Sequence, residues 1–389
     1  MKRRSESIRA RGRRTALAAW HVVALATLQA AWAGSSSAQD GAQATDWPMF
    51  RGDPQLTGVS SVRLADRLEP LWVRELGEGI ESAAAVHGQT VYVGSMDGVL
   101  HALDLATGEA RWTYETGEEI KSSPTVHDGT VYFGDGGGIL HAVDAKTGEA
   151  RWKFRTDAEI VSSPNVAGGR VLFGSHDQFL YAVLAANGSL SWKVETEGYV
   201  YGTPAIANGQ VIFSGCDGYL RVARVEDGAP IKKVELGGYT GASPAVLKGR
   251  AYVGTFENEF LAVDLEAGAV LWRYRDEERQ FPFLSSAAAR DDIVIVGGRD
   301  GRVHAFDPKT WKALWRFAAR GKIDSSPVIA GERVYVGSVG GEFFALGLES
   351  GEAVWSFDMG APVIASPSVA SGRVLIGTAD GRLYCFGKK

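Results

Sequence analysis

The sequence predicts an all-β, eight-bladed propeller, and three observations carry that expectation. Tryptophans recur with a period of forty, a four-strand phrase recurs with them, and one unmatched strand near the amino end completes the count. Trp72, Trp112, Trp152 and Trp192 stand forty residues apart, and Trp272, Trp315 and Trp355 continue the series. Lys232 occupies the place where the rule calls for another. A fixed period of this length marks a repeat architecture, which decides the fold before any local reading. The seven tryptophans are expected to dock each blade onto the next, because a large ring buried between sheets contributes strongly to packing.

Each period repeats one phrase. Its second copy runs Ser122-Ser123-Pro124-Thr125-Val126, Val131-Tyr132-Phe133-Gly134, Leu140-His141-Ala142-Val143-Asp144 and Thr147-Gly148-Glu149, and ends at Trp152. Four short runs rich in Val, Tyr, Phe and Trp, parted by Gly and Asp, describe a four-stranded antiparallel sheet. Helical repeats of similar length would need helical apolar spacing, which Val91-Tyr92-Val93-Gly94 lacks. Asp-Gly at Asp97-Gly98, Asp217-Gly218, Asp300-Gly301 and Asp380-Gly381 supplies hairpin chemistry. Proline cannot donate a ladder bond, so the Ser-Pro strand is expected at a sheet edge facing the central channel.

Eight half-repeats start near residues 82, 122, 162, 202, 242, 285, 325 and 365. The last ends at Tyr384-Cys385-Phe386-Gly387 without its tryptophan strand, whereas Leu71-Trp72-Val73-Arg74 precedes the first half-repeat unpaired. The two are expected to join, so that the amino-terminal strand completes the last blade and leaves only short, protected edges. The domains follow as a leader over 1–33, a lead-in over 34–66 and a propeller over 67–389.

The leader is different material. Six arginines between Arg3 and Arg14 precede an apolar stretch from Ala16 to Ala33, and Ala31-Trp32-Ala33 reads as a cleavage site, so the chain is expected to be exported. Arg13-Arg14 weakly resembles a twin-arginine signal, which leaves the general secretory route open. No cysteine lies near the cleavage site, so acylation there is excluded by chemistry. The first 33 residues hold seven basic and one acidic residue; the rest holds 34 basic and 45 acidic, a net charge of −11. That balance argues against nucleic acid and anionic lipid as partners. Cys216 and Cys385 fall in blades four and eight and are expected as free thiols.

The phrase Ala-x-Asp-x-x-Thr-Gly-x-x-x-Trp, intact at Ala102–Trp112 and Ala142–Trp152, resembles the docking repeat of the pyrroloquinoline quinone (PQQ) propellers. In size and repeat the resemblance is closest to the outer-membrane assembly factor BamB. Trp47-Pro48-Met49-Phe50-Arg51-Gly52-Asp53 also resembles the lead-in of stand-alone PQQ-like repeat proteins. For the enzymes of the superfamily the resemblance implies a quinone clamped between a tryptophan and a ring closed by adjacent cysteines. Calcium on Glu and Asn, and an Asp base, complete that site. The chain has no Cys-Cys pair. Glu257-Asn258-Glu259 is its one acidic-amide cluster at a mouth, and as strand residues Glu257 and Asn258 would point to opposite faces; a solvated turn reads better. No haem, phosphate-loop or zinc motif is present. His101, His141 and His304 recur at one strand position and are expected as scaffold, as are the paired serines.

Function is expected where blades differ. The residues before each Ser-Ser-Pro are Glu81, Lys121, Val161, Tyr201, Gly241, Leu284, Asp324 and Ile364, and they are expected to ring one mouth with mixed charge. Glu81, Lys121, Tyr201 and Asp324, with Phe256 and the lengthened loop of Arg279, Phe281 and Phe283, form the candidate interaction surface. No catalytic, cofactor-binding or metal residue is assigned. The expectation is a monomeric, non-catalytic propeller, periplasmic or extracellular, that docks protein partners in the cell envelope as BamB-like factors do. The runner-up is a PQQ- and calcium-dependent dehydrogenase or a degenerate small-ligand binder, and the third reading is an extracytoplasmic sensor.

Overall fold

The computed structural model describes residues 46–389, so the expected leader lies outside the described residues. Every regular element among them is a strand, and the strands form eight four-stranded antiparallel blades, one of which takes up a fifth, parallel strand. Blade two is representative: Thr125–His127, Thr130–Gly134, Ile139–Asp144 and Ala150–Arg155 run from the channel outward. The closure follows the sequence reading. Glu69–Glu75 pairs antiparallel with Arg382–Gly387, with Trp72 opposite Cys385, and becomes the outer strand of blade eight. Among the described residues no helix is long and apolar enough to cross a membrane.

The forty-residue period has a mechanical cause. In each blade the outer strand carries a bulge just before the docking position, as between Ala110 and Trp112, and between Pro70 and Trp72 in the closing strand. A bulge re-aims the side chain that follows it. The indole then donates to a carbonyl in the next blade: Trp72 to Leu105 at 3.0 Å, Trp192 to Val225 at 3.0 Å and Trp315 to Leu348 at 2.8 Å. It lies flat on that blade's Thr-Gly turn. At Gly108 φ is +71° and a Cβ would stand 2.7 Å from the Trp72 ring, so sterics and backbone both demand glycine. The two departures compensate. Lys232 lays its aliphatic stem on Gly268, and Trp311, at φ 62° in place of glycine, stacks on Trp272 at 5.4 Å and 19°.

One local expectation needs correction and another holds. Pro124 precedes the inner strand Thr125–His127 rather than lying within it. Its missing donor therefore falls in the approach to the strand, where no ladder bond is required. Glu257 and Asn258 lie in a turn, not a strand, with Asn258 at φ 64°, which bears out the turn reading.

The lead-in was expected to precede the ring; residues 47–60 run through its centre. Trp47 exchanges backbone hydrogen bonds with Val86 of blade one, and Val126 of blade two donates to Pro48. Ile206, Val246, Ala289 and Ile329, in blades four to seven, donate to Pro54, Gln55, Thr57 and Gly58. Asn165 of blade three reaches Pro54 with its side-chain amide at 2.9 Å. Val59–Ser60 then pairs parallel with the inner strand of blade seven. One segment thus ties seven inner strands together.

Its anchor is Arg51, 1% exposed, whose guanidinium donates to the carbonyls of Ser326 (3.1 Å), Ala287 (3.0 Å) and Pro327 (2.5 Å) in blades six and seven. Burial pushes this guanidinium down to about 9, with Asp53 opposing the shift, and burial raises the Asp53 carboxyl. A Cβ on Gly58 would stand 1.8 Å from that guanidinium, so the plug closes around its own arginine. Arg51→Ala should leave three buried carbonyls without a donor and lower unfolding stability by about 3 kcal/mol or more in chemical denaturation; a loss within about 0.5 kcal/mol, as at an ordinary surface site, would contradict the anchoring role.

Candidate functional site: the channel mouth

All eight aligned positions, Glu81, Lys121, Val161, Tyr201, Gly241, Leu284, Asp324 and Ile364, line one cavity of about 430 Å³ at a channel mouth. Phe256 joins them from the blade-five hairpin, Arg299 from the blade-six hairpin, and Phe50 of the plug from within the channel. The register of one short phrase is enough to place them, because each precedes the inner strand by the same number of residues.

Below this rim runs a belt of hydroxyls. The amide of Ala83 donates to Ser123 Oγ at 2.9 Å, Ser123 to Ser163 at 2.9 Å and Ser163 to Thr203 at 3.1 Å. Thr203 donates to Ser243 at 2.8 Å, and Ser243, Ser286 and Ser326 donate at 3.0 Å to Ser286, Ser326 and Ser366. The deeper serines close other backbone gaps, as Ser82 with Gly94 and Ser285 with Gly297. The expectation that the serine pairs satisfy backbone amides agrees with these bonds.

Three of the four charged rim groups are paired. Arg299 holds Asp324 bidentately at 2.8 and 3.0 Å, and Lys121 contacts Glu119. Burial alone would lower the Lys121 ammonium, but Glu119, Glu159 and Glu81 raise it. The lengthened loop divides the remaining candidates. Phe281 is 47% exposed, and the exposed Arg279 donates to the Asp300 carbonyl at 3.0 Å; neither lines the cavity. Phe283 is not a surface residue: it is 2% exposed and packs on Phe260 and His304. It occupies the column just before the rim position, which is buried in every blade, as at Ile80, Ile120, Ile160, Val200, Thr240, Ile323 and Val363.

Of the aromatics on the wider face, sequence reasoning missed Tyr199 and Tyr239. All five exposed large aromatics among the described residues, Tyr199, Tyr201, Tyr239, Phe256 and Phe281, sit in outer-to-inner connections or hairpin tips from blade three to blade six. Tyr199 and Tyr201 flank His176, with ring centroids 4.9 and 5.5 Å from it. Of the other exposed large apolar side chains, Ile231, Leu271, Leu314 and Val354 each precede the docking position of the outer strand in blades four to seven, one to a blade, and Leu184 and Leu190 lie on strands of blade three. Reading the connections as one face, rather than one aligned column, would have found the aromatic crescent.

Asp276, Asp300 and His304 bring ligand atoms within 4.8 Å of one another; the sequence reading had marked Asp300 as a hairpin residue and His304 as scaffold without bringing the three together. Arg302 and Arg316 stand 3.3 and 3.5 Å from Asp276, while the amides of Glu278 and Arg279 donate to it. Burial would raise the Asp276 carboxyl, but these donors hold it below its ordinary value. Tyr274 reaches Asp276 and His304 at 3.1 and 3.5 Å, and Tyr114 of blade one with His141 and Asp135 of blade two repeats this tyrosine–histidine–aspartate arrangement at 3.1 and 2.7 Å.

A family model for outer membrane protein assembly factor BamB matches residues 59–161, 124–236, 200–316 and 299–389. The chain belongs to the BamB family. Among solved structures, BamB from Moraxella catarrhalis is 21% identical with a TM-score of 0.71, over 83% of this chain and 98% of that one. Quinohemoprotein alcohol dehydrogenase from Comamonas testosteroni is 17% identical with a TM-score of 0.75, over 90% and 82%. A europium-containing methanol dehydrogenase is 14% identical with a TM-score of 0.74, over 88% and 98%. At these identities the likeness shows the propeller fold that the BamB family and the dehydrogenases share. No curated protein matches the chain in sequence.

The mouth of this BamB-family chain does not fit the quinone clamp. Neither tryptophan nor cysteine is among its lining residues, and Cys216 and Cys385 are free. Burial pushes the Cys385 thiol up to about 12. Asp324 is held by Arg299, and Glu259 by Arg273 at 2.7 Å and Arg275 at 3.2 Å.

The hydroxyl belt has seven links, and Ala83 cannot accept the eighth. Ala83→Ser places an acceptor facing Ser366 and should raise unfolding stability by about 1 kcal/mol in urea titration; a destabilised variant would contradict the belt's role in holding neighbouring blades together.

Proposed function

We propose that this chain is an exported, non-catalytic docking scaffold of the cell envelope, acting in outer-membrane β-barrel assembly. The observation that carries this reading is the confinement of all five exposed aromatics to one crescent of the mouth face. Aromatic anchors beside charged, self-paired groups have the composition of a protein interface, whereas a catalytic mouth would present titratable groups free to act. Family membership supports the role in assembly. Export rests on the basic, apolar leader over 1–33, and a protein partner is favoured over nucleic acid by the net charge of −11 beyond it. The dehydrogenase reading draws less support from the mouth, where Asp324 and Lys121 are paired and no tryptophan or cysteine lines the cavity.

The test is complementation in the native host. Loss of the chain should lower the content of folded outer-membrane barrels, and a Tyr239→Ala/Phe281→Ala variant with an unchanged melting curve should fail to restore it. Full restoration by the variant, or unchanged barrel content without the chain, would overturn the proposal. So would stoichiometric binding of PQQ with calcium by the purified protein.

A further inference from the structure

Each belt hydroxyl accepts an amide from the neighbouring blade, yet among the described residues none has an acceptor for its own proton. Ser123, Ser163, Thr203, Ser243, Ser286, Ser326 and Ser366 are 3–8% exposed and line a single cavity. Seven hydroxyl donors therefore converge on about 430 Å³, a volume in the usual range for small ligands. Above them stand the rings of Tyr201 and Phe256, and Phe50 joins the lining from the plug.

We infer that this cavity binds a neutral, polyhydroxylated small ligand of the saccharide class. Three observations select the class. The rim's formal charge is balanced, with Glu81 and Asp324 against Lys121 and Arg299, so it offers no net attraction to an anion. An apolar ligand would strip water from seven buried hydroxyls without replacing their hydrogen bonds, at a cost of about 1–3 kcal/mol for each unsatisfied group. A sugar does both tasks: its ring and hydroxyl oxygens accept from the belt, its own hydroxyls donate to Glu81 and Asp324, and its C–H faces pack on the aromatic rings. Val161, Leu284 and Ile364 fill the apolar gaps between these groups. The inference does not rest on the docking crescent, because Tyr239 and Phe281 lie outside the cavity.

The experiment is calorimetric titration of the full chain with maltose and with N-acetylglucosamine, beside inorganic phosphate and citrate. Saturable binding of either sugar is expected. Val161→Trp, which fills the cavity without touching the belt, should weaken it at least tenfold, equivalent to about 1.4 kcal/mol. Phe281→Ala should leave it unchanged. Melting curves of both variants serve as the check on folding; if Val161→Trp does not fold, Ile364→Trp on the opposite wall takes its place. Binding of phosphate or citrate in preference to both sugars would overturn the ligand class. Absence of saturation by either sugar up to about 50 mM, beyond the millimolar range of weak specific binding, would overturn the site, as would sugar binding unaffected by the cavity-filling variant.

Discussion

The structure depends on a circular constraint: the strand Glu69–Glu75 must pair with Arg382–Gly387 across almost the whole length of the chain. Until it does, blade eight lacks its outer strand and Trp72 has no sheet from which to reach Leu105 of blade one. The inner strands of blades one and eight are then placed side by side, with Ser368 donating to the Ala84 carbonyl at 2.6 Å. Such long-range pairing carries a large loop-closure cost that neighbouring contacts must offset. The plug shares that load. By bonding to seven inner strands and burying Arg51 against blades six and seven, residues 47–60 add a second, central closure to the peripheral one.

Rigidity of this kind leaves the loops as the part of the molecule free to vary between blades. The tryptophans, glycines, paired serines and tyrosine–histidine–aspartate networks recur because each satisfies the same local demand in successive blades. Residues free of that demand, such as Tyr201, Tyr239 and Phe281, differ from blade to blade and face outward. The mouth combines both kinds: a varied rim set on a uniform belt, closed from within by a residue of the plug. Two surfaces with different chemistry result, an apolar crescent suited to a macromolecule and a donor-rich cavity suited to a small molecule.

Much of the fold was legible in the sequence because propeller blades repeat their chemistry in register. The period of the tryptophans, the count of half-repeats and the unmatched strand at Trp72 specify eight blades and their closure. The rim of the mouth was legible for the same reason, since one aligned column contains all eight positions. The plug was not, because Trp47 to Ser60 occurs once and its contacts are backbone bonds to strands far along the chain. Phe283 was misplaced because it was read by the composition of its loop rather than as a member of the column before the rim, which is buried in every blade. The belt's unfilled donors were hidden as well: serines that serve the backbone look the same in sequence whether or not their protons face a cavity.

The most direct test of the central claim is native-state hydrogen exchange across the closing sheet. If the ring stands or falls with its seam, backbone amides of Glu69–Glu75 should exchange only by global unfolding, at the same free energy as those of Arg373–Gly377 in the same blade. Exchange of the amino-terminal strand at distinctly lower free energy, while the other blades stay protected, would mean that the ring persists without it and would contradict the account.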